Sequence, residues 1–439
     1  MTTAVHWGIV GGGMLGMTLA WELAKAGRRV SLFESAPEPG GLAAAWRLGD
    51  IVWDRHYHVT LLSDAALRGL LYELGLDRDM RWAKTRTGFY WGGGLHPFSS
   101  ALDFARFPLL SPFEKLRFGA AIYRASRLRS PAPIDALTVE QWLTQISGPG
   151  VFRKLWQPLL RSKLGDDYRS TSASFMWATI QRMFAARRSG LRAELFGYLP
   201  GGYARILDTF AAALRGRGVC IHLNARVREV ATAPGGGAEI KFAGSTIERC
   251  DRVVLAVPAP VAASLCPSLA SGELELLRAV EYQGVICASL LLRRPLSEFY
   301  ITNIADGSIP LTGIIEMSCL VDRELLHGHT LVYLPRYLRP DSPDFQQPDE
   351  QIQSRYFAAL RRVHPSLSEN EVLASRVSRA RYVFARPVPG SSSRMPPIDT
   401  SLSHIHLLNS AHIAGGTLNV NETVQLAKRH ARRFLELAA

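Results

Sequence analysis

Two short stretches of this sequence carry groups suited to chemistry. The first is the glycine run at residues 11–16, GGGMLG, in which Gly11, Gly13 and Gly16 fit G-x-G-x-x-G. In such a run the first glycine permits a sharp strand-to-helix turn and the second lets backbone amides approach a pyrophosphate. The third allows the helix to lie close on the strand. Met14 and Leu15 open that helix, where free N–H groups and a partial positive charge suit a diphosphate. Glu34 lies 18 residues beyond Gly16, near the ~20 expected of a carboxylate that grips an adenosine ribose. The second stretch is DRHYH at residues 54–58. Histidines at i and i+2 of an extended segment face the same side, so His56 and His58 are the candidates for substrate contact or proton transfer. A structural role for them is the alternative. With no third ligand close in sequence, metal binding is not expected.

These groups need elements to hold them. Residues 5–10 (VHWGIV) form an apolar, β-branched run bounded by glycine, which predicts a buried parallel strand. Residues 14–26 show helical apolar spacing and stop at Gly27, and 29–33 (RVSLF) predict a second strand ending on Glu34. The unit is a nucleotide-binding βαβ start.

The segment after Glu34 resembles the large flavoprotein family of amine oxidases, protoporphyrinogen oxidases, phytoene desaturases and UDP-galactopyranose mutases. The pair Gly40–Gly41 stands where that family's backbone meets the FAD pyrophosphate, and Leu42 stands where many members carry arginine. Further along, LPGGYARIL (199–207), DRVVLAVP (251–258) and WQPLLRSKLGDDYRSTS (156–172) resemble family segments, and Val227 falls where the family's backbone contacts adenine. The resemblance implies FAD as cofactor. It also implies that the segment after 405–409 (IHLLN) closes on the flavin, with Ser410, Asn419, Val420 and Asn421 among its contacts. A helix starting there, with amides at Val420, Asn421 and Glu422, would stabilise the negative charge a reduced flavin carries. A plain surface helix capped by asparagine fits the same pattern. His412, just before that loop, is a candidate for bonding the ring or for packing the loop.

The expected fold is α/β: a Rossmann-like FAD-binding domain, discontinuous over 1–85, 200–265 and 385–439, with an inserted α+β substrate domain from 86–199 and 266–384. Within the insertions, helical spacing covers 112–128 and 139–160, strand-like runs cover 285–292, 310–317 and 330–334, and a helix covers 351–364. Together they predict a mixed sheet roofed by helices. PGGG at 234–237 predicts a hairpin turn. Tyr300, Asn303, Glu316, Tyr333, Tyr337 and Arg386 are candidates to line the substrate cavity.

Bulk numbers bound the rest. The 439 residues are 47% hydrophobic and 20% charged, which excludes wholesale disorder. No apolar run approaches the ~18–20 residues of a spanning helix, and a cytoplasmic protein is expected. Five dispersed cysteines (Cys220, Cys250, Cys266, Cys287, Cys319) form no CxxC and predict buried reduced thiols. The net charge of +13 favours an anionic partner. No nucleic-acid motif is present, so nucleic acid is not expected. Lys115, Arg117, Arg124, Arg127 and Arg129 interleave with Leu116, Phe118, Ile122, Tyr123 and Leu128, and Arg187, Arg188 and Arg192 sit near Met183, Phe184 and Leu191. Such basic amphipathic stretches suit an anionic membrane surface, or simply a solvated face.

No second G-x-G-x-x-G supplies a nicotinamide site, so oxygen, a quinone or another acceptor would reoxidise the flavin. The expected activity is hydride removal from a hydrophobic organic substrate, isoprenoid- or porphyrinogen-like. A non-redox sugar-nucleotide mutase and a FAD-binding protein without turnover are the alternatives.

Overall fold

A computed structural model describes residues 5–187, 195–244, 246–413 and 418–436. Its organising element is a five-stranded parallel sheet. Across it lie Cys220–His222, Arg29–Phe33, His6–Val10, Arg252–Leu255 and Ile405–Leu407, in that order. The strand His6–Val10 is buried along its whole length because both faces are covered. Trp7 and Ile9 point into a layer of helices formed by Met14–Lys25, Gly202–Gly216 and Val420–Glu436. Val10 points the other way, towards an antiparallel sheet of Val227–Thr232, Ala238–Phe242 and Ile247–Cys250. The hairpin predicted at 234–237 joins the first two of those strands. The two-residue alternation along each strand thus supplies both halves of the core.

The second large sheet has seven strands. Their order is Val372–Ala385, Tyr282–Leu292, Thr330–Leu338, Gly313–Glu316, Ile301–Ile304, Thr87–Trp91 and Gly94–Pro97. It is mixed, since Ile301–Ile304 runs parallel to Thr87–Trp91 while the other pairs are antiparallel. Tyr282–Leu292 is buried at every position. One face of the sheet packs on the helix Asp349–Val363 through Ile352, Tyr356 and Leu360. The other packs on the hairpin Ala45–Leu48 and Ile51–Asp54 through Leu48, Ile51 and Trp53. That hairpin leads directly into the histidine segment.

Local chemistry sets several boundaries. Ser111 and Glu114 form a reciprocal capping box, and Pro112 occupies the first turn, so the helix Pro112–Arg127 starts where the pattern predicts. The continuous helix expected over 139–160 is instead broken. Val139–Ser147 ends at Gly148, whose φ of 86° and the following Pro149 force a new start. The run expected at 310–317 contracts to Gly313–Glu316. All five cysteines are free. Cys250, Cys266 and Cys287 are buried as expected, whereas Cys319 is half-buried and Cys220 is exposed at the sheet edge. Among the described residues no helix is long and apolar enough to cross a membrane. Arg188, Leu191 and Arg192 lie outside the described residues, as does the side chain of Arg187.

Candidate functional site

At the carboxyl ends of the parallel strands lies a cavity of ≈ 600 Å³, walled on one side by the glycine loop and on the other by the mixed sheet. Gly13 is the N-cap of the first helix. No side chain caps this helix and no acid sits in its first turn, so its leading amides are free for an anion. Gly11, Gly13, Met14 and Leu15 all line the cavity, as do Glu34, Gly40, Gly41 and Leu42. The two glycine segments press together. The Gly40 N–H donates to the Gly12 carbonyl at 2.8 Å, and a side chain on Gly41 would stand 3.2 Å from the Gly13 Cα. Gly16 does not reach the cavity. A Cβ there would fall 1.9 Å from the Gly11 carbonyl oxygen, so this glycine serves the close packing of helix on strand.

Gly13 is different. Its φ of −70° suits any residue, and a Cβ would meet nothing closer than 4.0 Å. Packing does not demand glycine there, and the space leaves the amides open to a ligand. This cradle fits the pyrophosphate of FAD. Glu34 completes it, its carboxylate accepting from the amides of Gly12 (2.7 Å) and Ala36 (2.8 Å) at the cavity rim. Just past the parallel strand Ile405–Leu407, Asn409 is buried and its side-chain N–H₂ has no partner, while its Oδ1 accepts from the Ala411 amide. That orphan donor belongs to a cavity-lining residue and is available to a polar ligand. Sequence reasoning missed Asn409. It terminates the strand-like run at 405–409 and could have been found as the polar end of a buried strand.

The other end of the cavity is formed by His56, Tyr57 and His58 against the mixed sheet. Burial, with the charges of His58 and Arg55 nearby, pushes His56 down to about 3, so it is uncharged near neutrality. His58 has carboxylate support, with its Nδ1 3.7 Å from Asp54 Oδ2. Asp54 is itself anchored: Oδ1 accepts from the Tyr203 amide at 2.7 Å, and its backbone carbonyl accepts from the Tyr333 hydroxyl at 2.6 Å. Tyr57 and Tyr337 place their hydroxyls 3.3 Å apart, and burial together with Tyr337 raises the Tyr57 phenol well above its ordinary value. The Cys287 thiol in this wall is pushed by burial up to about 12 and stays protonated. Lys163 and Arg182, two cations that sequence reasoning did not single out, also line the cavity. Their signal was weak, since each sits in a helix among other basic residues.

Several candidates have other work. Asn421 Oδ1 accepts from the amides of Ala66 and Leu67 and so caps the helix Ala65–Glu73; it does not line the cavity. Val227 packs in the apolar layer beneath the parallel sheet, also away from the lining. His412 is consumed in its loop, Nδ1 taking the Asn409 amide at 3.1 Å and Nε2 facing the Pro396 carbonyl at 3.1 Å. Of the proposed lining residues only Tyr337 reaches the cavity. Glu316 is buried under the amides of Leu296 and Ser297, and Arg386 braces the turn at Asp167–Thr171. Ser410, Asn419 and Val420 do line the cavity, and Asn419 caps the last helix by accepting from the Glu422 amide at 3.0 Å. Among the described residues no group of three His, Cys, Asp or Glu side chains is placed to hold a metal ion.

Set beside known proteins, the sequence profile of the flavin containing amine oxidoreductases matches residues 15–435. A Synechococcus elongatus protein described as "Probable zeta-carotene desaturase" is 24% identical over 464 residues, covering 92% of each chain. The hydroxysqualene dehydroxylase of Zymomonas mobilis is 22% identical over 68% of this chain and 72% of its own. Among solved structures, an oxidoreductase from Methanosarcina mazei superposes with a TM-score of 0.76 at 18% identity, over 97% of this chain and 100% of the other. At that identity the superposition establishes the fold.

Proposed function

This chain belongs to the flavin containing amine oxidoreductase family, and from that premise we propose that it takes hydride from an apolar, isoprenoid-like substrate, oxidising it or introducing a double bond. It is a FAD-dependent oxidoreductase, and bound FAD supplies the two-electron acceptor. The observation that carries the substrate reading is the sheet wall at the histidine end. There Val285, Cys287, Pro335 and Val383 present an apolar surface of the mixed sheet to the cavity. The relatives named for carotene and squalene chemistry support it.

The roles of the chain's own residues follow from their surroundings. The glycine cradle and Glu34 fix the nucleotide end, leaving the far end for substrate. His58, with Asp54 behind it, accepts the proton released when a C–H neighbouring the oxidised carbon is lost. His56, held neutral, lines the wall without adding charge. Tyr57 and Tyr337 pair their hydroxyls and keep that corner ordered. Two units divide the labour, a nucleotide-binding part from 1–85, 200–265 and 385–439 and a substrate part from the two insertions.

An apolar substrate must be collected from somewhere, and we assign that to a membrane surface. Along the helix Pro112–Arg127, Phe113, Leu116 and Tyr123 are 65%, 74% and 61% exposed, with Arg117, Arg124 and Arg127 beside them on the same outward face. Large apolar side chains ringed by arginine match an anionic bilayer interface.

The deciding experiment is a visible spectrum of the purified protein followed by anaerobic titration with isoprenoid, porphyrinogen, amine and UDP-sugar compounds. Bleaching by isoprenoids alone is the expected result. Bleaching by amines alone, or a UDP-sugar isomerised with no net electron transfer, overturns the reading.

A further inference from the structure

We propose that the substrate carries a single carboxylate on its apolar body, and that Lys163 is the residue that reads it; this rests on the isoprenoid reading above. Lys163 sits on the helix Gln157–Leu164, with its ammonium 4.2 Å from the centre of the Tyr337 ring and 5.7 Å from that of Phe384. The aromatic faces and the apolar stem hold the group at the wall of the cavity. Among the described residues it has no carboxylate partner. The other lining cation, Arg182, is already paired with Asp64 at 3.2 Å.

The balance of charge around it is one-sided. The only carboxylate among the described lining residues is Glu34, at the nucleotide end and bonded to two amides. A wholly hydrocarbon substrate filling this end would strip water from Lys163 and give nothing back, which is costly for a charge. An amine would set like charges against each other. A carboxylate satisfies the ammonium directly, with the hydroxyl pair of Tyr57 and Tyr337 adjacent to share the remaining lone pairs. A single ammonium at this end matches one negative charge, which argues against a diphosphate.

The test titrates the FAD-loaded protein anaerobically with farnesoate, farnesol and farnesylamine and follows the flavin absorbance band as a binding signal. Salt near 0.3 M screens the general attraction of a +13 protein for anions. Farnesoate is expected to bind tightest and farnesylamine weakest. Lys163→Met keeps the stem on Tyr337 and should weaken farnesoate about tenfold to a hundredfold while leaving farnesol unchanged. Lys163→Arg should keep the preference. Equal binding of acid and alcohol, or a preference that survives K163M, overturns this inference alone. Absence of any spectral change with all three compounds overturns the isoprenoid reading beneath it.

Discussion

The Cα of Gly16 packs so closely on Gly11 that a methyl group there would overlap the Gly11 carbonyl oxygen, whereas Gly13, three residues earlier, has open space where its side chain would be. Packing requires one glycine and leaves the amides of the other open. Gly16→Ala should therefore destabilise the fold by about 3 kcal/mol or more, through overpacking of rigid backbone. Gly13→Ala should change stability by under about 1 kcal/mol yet purify without yellow colour. Thermal melts beside flavin content per mole of protein check both, and a G13A protein that retains full flavin contradicts the cradle.

Glu34 bridges the amides of Gly12 and Ala36, so its carboxylate shapes the loop as well as lining the cavity. Glu34→Gln replaces one charged acceptor with a neutral one. The FAD dissociation constant should rise about tenfold to a hundredfold, read by equilibrium dialysis.

Buried Asp54 joins three elements: its own strand, the start of the helix Gly202–Gly216 through the Tyr203 amide, and the Thr330–Leu338 strand through Tyr333. Asp54→Ala leaves the Tyr203 amide unpaired and should cost about 1–3 kcal/mol. The more telling variant is Asp54→Asn, which keeps a hydrogen-bond acceptor but removes the charge facing His58. With that partner charge gone, kcat should fall about tenfold or more while flavin content and KM hold, read by steady-state kinetics. An unchanged kcat removes the pair from the reaction.

His364 is buried, its Nε2 has no partner, and burial pushes it down to about 4. A histidine whose folded value lies below its unfolded one takes up protons first in the unfolded chain. Stability is intact above about pH 6.5 and falls as acid is added, until the folded protein also protonates near its own lower value. Between pH 7 and pH 5 this group should remove about 2 kcal/mol. His364→Gln should flatten the melting temperature against pH over that window.

Replacing Phe113, Leu116 and Tyr123 by serine leaves a helix whose inward face is untouched, because all three are exposed. The triple variant should melt like the parent but no longer sediment with anionic vesicles at low salt. Equal sedimentation of both proteins, or of neither, contradicts the docking face.

The nucleotide half was legible because its cradle is built from backbone. Glycines and strand–helix alternation are local features, so the loop at Gly11–Gly16, the strand ending on Glu34 and the pair Gly40–Gly41 could be read directly. The substrate half is built by residues distant in the chain. Tyr57 meets Tyr337 across 280 positions, and nothing in the spacing around Lys163 or Asn409 announces that each will face a shared cavity. Asn421 shows the same limit from the other side. Its place at a helix start is legible, but that its side chain bonds a neighbouring helix is not.

That helix contact has a consequence for biogenesis. The Ile405–Leu407 strand completes the edge of the parallel sheet, and Val420–Glu436 packs on Met14–Lys25 and clamps Ala65–Glu73 through Asn421. Segments that leave the ribosome far apart in time therefore close one receptacle, and the stretch made first must wait for its partner through a long interval of translation. Nascent chains stalled before residue 405 should then emerge without flavin colour, read from the absorbance of the stalled complexes.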